Sequence, residues 1–62
     1  RIRLNGTVLK SERGPLLETN DGIIWKLNAE NIKLPDEGTK VIVEAGVANE
    51  QYLEVDWIGN AG

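Results

Sequence analysis

Carboxylates are the groups in this sequence best supplied for acid–base work. Glu54 and Asp56 alternate on what reads as one strand face, and Glu44 falls on the preceding strand. A hydrolytic pair needs a cleft, one carboxyl held protonated, and subsites for a substrate. A chain of 62 residues has no room for a deep cleft, so these acids read as a solvated face beside Lys26. The same carboxylates offer Ca²⁺ only a weak hold, because no EF-hand loop pattern accompanies them. The sequence has neither histidine nor cysteine, which removes the commonest general base, the commonest metal ligand and any thiolate site. With no nucleophile–base constellation and no phosphate loop, the expectation is a non-enzyme with no catalytic residues, no metal and no cofactor.

Binding chemistry is better supplied. Trp25, Tyr52 and Trp57 are the aromatic residues, and a barrel face could present Arg13 and Lys26 with them. Rings and cations on one β surface are suited to stacking bases or sugars. The candidate binding set is therefore Arg13, Trp25, Lys26 and Tyr52. Trp25 shares the apolar phase of Ile23 and Leu27, which also gives it a claim on the core. Tyr52 lies in the polar phase of its strand, as an exposed contact should.

Ten acidic against seven basic residues give a net charge of −3 and a pI near 4.7, the wrong sign for an affinity built on phosphate neutralisation. A local patch of Arg13, Lys26 and Lys33 is the counterweight. No apolar run approaches the roughly 18 residues of a membrane span and no charged-then-apolar leader is present, so the expectation is a soluble domain. The chain does not begin with methionine, which reads as a processed product or a piece of something longer. Asn5-Gly6-Thr7 matches the glycosylation acceptor pattern, and we read the match as chance.

The elements that must carry these residues are strands. Asn20-Asp21-Gly22 between two apolar runs predicts a hairpin of Leu16–Thr19 with Ile23–Leu27. Ahead of it, Ile2, Leu4, Gly6 and Val8 keep a period of two over Arg1–Lys10. Gly6 is either the bend of one long strand or part of an Asn-Gly turn, and four-residue arms favour the bend. Ser11–Pro15 reads as a loop. Asn28 is placed to cap a short helical turn through Asn31, with Ile32 and Leu34 plugging one end of the core. Pro35–Gly38 is a turn. Two strands follow, Thr39–Val47 and Tyr52–Ile58, joined by Ala48–Gln51. The domain spans residues 1–58, and 59–62 form a frayed tail.

Five short strands in so few residues leave open edges unless the sheet closes. The order of elements resembles the oligonucleotide/oligosaccharide-binding (OB) fold, and small bacterial OB-type domains in particular. Gly6-Thr7-Val8, Asp21-Gly22 with Trp25 and Leu27, and Asp56-Trp57-Ile58 carry the likeness. The resemblance implies an all-β five-stranded barrel with one helical turn between the third and fourth strands; an SH3-like barrel is the alternative. It also implies a ligand face on the second and third strands and the loops beside them. In that topology Arg1 and Arg3 face Glu44, while Lys26 faces Glu54 or Asp56. The expected function is a protein-interaction module docking a partner near Tyr52 or along an exposed edge of the second or fourth strand. Single-stranded nucleic acid or oligosaccharide on the face of the second and third strands is the alternative.

Overall fold

A computed structural model describes residues 1–61. Among them the chain forms five strands: β1 (Ile2–Ser11), β2 (Gly14–Thr19), β3 (Ile24–Asn28), β4 (Lys40–Asn49) and β5 (Tyr52–Asn60). They close into a barrel-like sheet in the order β1-β2-β3-β5-β4, with β4 returning to β1. All pairings are antiparallel except β3 with β5.

Closure depends on the bend in β1. Its first half, Ile2–Thr7, pairs with β4, and its second half, Gly6–Ser11, pairs with β2. Gly6 belongs to both registers, so Asn5-Gly6 is no hairpin turn. A Cβ on Gly6 would run into the Glu18 carbonyl oxygen, which is why a residue without a side chain stands where the strand folds over its neighbour.

Inward-facing residues of every strand supply the core: Val8, Leu17, Leu27, Val41, Val43, Ala45 and Leu53 are buried, with Ile2, Leu4, Trp25, Val55 and Ile58 packed against them. Val47 keeps the phase of Val43 and Ala45 yet is exposed, and the period-two pattern also fails in β5. Glu44 pairs with Trp57 and Ala45 with Val55, so Asp56 is an extra residue bulged from β5. The bulge reverses the phase, sending Ile58 inward and leaving Trp57 49% exposed on the outer face. Ile23, expected inside, precedes β3 and is also exposed.

Turns are shorter than the sequence suggested. Glu12-Arg13 alone joins β1 to β2, and Pro15 lies within β2 opposite Lys10. Glu50-Gln51 joins β4 to β5, with Gln51 in the left-handed region at φ 54°. The hairpin turn closes by Thr19 N–H donating to Ile23 O at 2.9 Å. Gly22 takes positive φ there. The Thr19 hydroxyl, buried, donates to the Asp21 carboxylate, and this bond holds the Asp21 carboxyl below its ordinary value.

No helical turn forms after β3, contrary to expectation. Asn28 is spent in β3 opposite Glu54, and the segment beyond makes one isolated turn, Ile32 N–H to Ala29 O at 3.2 Å. Pro35 biases Leu34 away from helical backbone, and the return path is tied to β1 by Gly38 N–H donating to Val8 O at 2.7 Å. Ile32 and Leu34 are half-buried against β1 and β2 and do not pack on the core cluster, so they are not its plug. Gly59 and Asn60 belong to β5, and Ala61 N–H donates to Lys40 O at 2.9 Å. Of the expected tail, Gly62 lies outside the described residues.

Candidate functional site

Three of the four candidate binding residues meet in one groove. Pairing places Leu16 of β2 opposite Lys26 of β3, and Lys26 opposite Tyr52 of β5. Alternation turns all three outward, forming a row across three strands with Ile24 beside it. Arg13 reaches this row from the β1–β2 turn and Gln51 from the β4–β5 turn; together with Ser11 and Pro15 they enclose about 470 Å³. Pro15, Leu16 and Ile24 make an aliphatic floor, and Arg13, Lys26 and Tyr52 stand around it.

The turns are built to present their side chains. The Ser11 hydroxyl donates to Gly14 O at 2.9 Å and accepts from Arg13 N–H at 3.3 Å, fixing the backbone that carries Arg13. Gln51 does the same from the other side. Its Nε2 donates to Ile24 O at 3.2 Å, and its own carbonyl accepts from Lys26 N–H at 2.7 Å. The left-handed backbone of Gln51 aims the amide at a β3 carbonyl just short of the point where β3 begins to pair with β5.

Trp25 does not join them. It pairs with Leu17 on the inner side of β3 and packs against the core, so its ring faces away from the groove. Trp57 is exposed on another part of the sheet, opposite Glu44 of β4. Tyr52 is thus the aromatic residue of the groove.

Charge in the groove is one-sided. Two cations and no acid line it, in a chain where acids outnumber bases. Among the described residues Lys26 forms no ion pair, whereas Arg1 meets Asp56 at 3.1 Å and Arg3 meets Glu44 at 3.2 Å. The expected pairing of Arg3 with Glu44 is therefore present; Arg1 goes instead to the bulged Asp56, and Lys26 to neither Glu54 nor Asp56. Further along β5, Glu54 and Asp56 line a separate polar hollow with Glu30. Among the described residues no group of three carboxylates is placed to hold a metal ion.

Leu16 and Ile24 were legible as groove residues through one signal, an apolar side chain in the outward phase of its strand. Gln51 gave none, because its part depends on a backbone conformation. The closed sheet also withdraws one docking mode, since β2 and β4 are each paired on both sides and offer no free edge. Among the described residues no helix is long and apolar enough to cross a membrane.

A family model described as "Protein of unknown function (DUF5818)" matches residues 5–61. No curated protein and no solved structure matches the chain.

Proposed function

We propose that this chain, which belongs to the DUF5818 family, is a non-enzymatic binding module of OB type that takes an extended segment of a partner protein in the Arg13–Lys26–Tyr52 groove. The strand order supports the OB reading: β1 lies between β2 and β4, and β5 lies between β3 and β4 with a parallel β3–β5 pairing. The observation that carries the function is the lining itself. An aliphatic floor under Tyr52, flanked by two cations and free of acid, suits an apolar side chain next to a carboxylate.

Single-stranded nucleic acid is the second reading, favoured by the same Tyr52 between Arg13 and Lys26. It ranks behind because one ring offers one stacking position and the other two aromatics lie elsewhere. Base-stacking sites usually add rings along the strand.

The test is a titration of the isotope-labelled domain at about 0.1 M salt, where weak attraction between exposed charges is screened. The probes are an acetylated hexapeptide of alternating aspartate and leucine, its lysine-for-aspartate counterpart, and hexathymidylate. Saturable shifts at Arg13, Ile24, Lys26 and Tyr52 with the acidic peptide alone are expected. Shifts with hexathymidylate alone would transfer the site to the second reading, and a flat response to all three would remove the groove as a binding site.

A further inference from the structure

We infer that the segment held in the groove is the carboxyl-terminal end of its partner, an apolar last residue whose own carboxylate meets Arg13 and Lys26; this rests on the peptide reading of the groove.

The sheet offers such a segment no backbone pairing. β2, β3 and β5 are each paired on both sides, so none of them has an edge that could take an added strand. Backbone groups beside the groove are engaged as well. Gln51 Nε2 donates to Ile24 O at 3.2 Å, Lys26 N–H donates to Gln51 O at 2.7 Å, and Arg13 N–H donates to the Ser11 hydroxyl at 3.3 Å. Recognition therefore falls to side chains: Leu16 and Ile24 for an apolar group, and Arg13, Lys26 and the Tyr52 hydroxyl for an anion.

These side chains occupy a short row. Leu16, Lys26 and Tyr52 lie opposite one another across three strands, about 10 Å at the usual strand spacing, so about three residues of an extended segment cross it. In such a segment successive side chains point to opposite faces. An aspartate next to a leucine thus turns away from the floor that the leucine meets. The nearest carboxylate on the leucine's own face is two residues off, about 7 Å away and over most of the row. A last residue has no such difficulty, because its side chain and its carboxylate leave the same Cα. That carboxylate is also planar and presents two oxygens, the shape that a guanidinium such as that of Arg13 binds in a fork. With two cations and no acid in the lining, the groove has the charge to hold it.

The experiment measures fluorescence anisotropy with three peptides labelled at the amino end. The first is a hexapeptide of alternating aspartate and leucine that ends in leucine with a free carboxyl group. The second is its carboxamide, and the third is that carboxamide lengthened by one aspartate at the amino end, which restores the charge of the first. The free acid should bind about tenfold tighter than either carboxamide, and in Arg13→Gln that preference should fall to about twofold. A lengthened carboxamide that matches the free acid would show that the gain is charge alone and overturn the chain-end assignment. Equal affinities of the free acid and its carboxamide, or a tenfold preference kept by Arg13→Gln, would also overturn it and leave the groove reading standing. Failure of all three peptides to bind would remove the groove reading, and the chain-end assignment with it.

Discussion

The six-membered ring of Trp57 lies over Gly59: a Cβ placed on that glycine would stand 2.5 Å from Cη2 and 2.7 Å from Cζ2 of the indole. The bulge at Asp56 put this ring outside, and Gly59 gives it a bed of backbone.

Gly59→Ala and Gly6→Ala should differ sharply, although both introduce the same methyl group. At Gly59 the obstacle is the far end of a half-exposed side chain, which can swing away. A loss of about 1 kcal/mol is expected, with a red shift of tryptophan emission as the ring enters water. At Gly6 the obstacle is the Glu18 backbone carbonyl inside the β1–β2 ladder, so the loss should be about 3 kcal/mol or more. Urea unfolding of both variants measures the contrast, and equal losses would show that the β1 bend does not need its glycine.

The two tryptophans should separate in the same way. Trp25→Ala opens a cavity against the core and should cost about 3 kcal/mol, most of the stability of so small a domain. Trp57→Ala should cost about 1 kcal/mol. Thermal unfolding followed by circular dichroism gives both numbers, and a Trp25→Ala variant as stable as the parent would place that ring outside the core.

Charge reversal in the groove should leave the fold alone. Among the described residues Arg13 and Lys26 make no ion pair, so Arg13→Glu and Lys26→Glu should keep stability within about 0.5 kcal/mol. Affinity for the acidic peptide should fall about tenfold for each, and the parent's affinity should fall as salt rises from about 0.05 to 0.3 M. Calorimetric titration of the three proteins tests this; undiminished binding by both variants would detach the cations from recognition.

Asp21 should titrate below the ordinary aspartate value in the folded chain because the Thr19 hydroxyl donates to its carboxylate. A depressed folded value means that the bond supports the hairpin at pH above the unfolded carboxyl's range. That support is lost as pH falls through the folded value. Carbon-detected titration of the carboxyl measures it. Thr19→Val should raise the value toward normal, and an unchanged titration would assign the shift to the backbone N–H groups of the turn.

Much of this was readable in the sequence because local chemistry dictated it. Gly22 at the hairpin, Gly38 at the turn before β4 and the bend at Gly6 each answer a local backbone demand. Alternation carried Val41, Val43 and Ala45 of β4 to the core, but Val47, in the same phase, is exposed. The outward place of Trp57 was not readable because a bulge is a relation between two strands: Leu53, Val55 and Trp57 alternate perfectly, and only pairing with Glu44 and Ala45 reveals that Asp56 is extra. The turn after Asn28 failed for a similar reason, since β3 runs one residue further to meet Glu54. In the groove, Arg13, Lys26 and Tyr52 followed from loop position and strand phase. Trp25 was lost to the core because its apolar phase took precedence over its ring.

The parallel seam between β3 and β5 joins Lys26, Leu27 and Asn28 to Tyr52, Leu53 and Glu54, and it governs the order in which the chain can be assembled. The β1–β2 and β2–β3 hairpins can form as soon as their own residues are available. The seam, by contrast, must wait for β5, across a separation of 26 residues that carries a loop-closure cost. Until β5 arrives, one side of β3 stays open and Leu27 lacks its partner Leu53. Until β5 is present the sheet is therefore an unclosed meander on that side of β3.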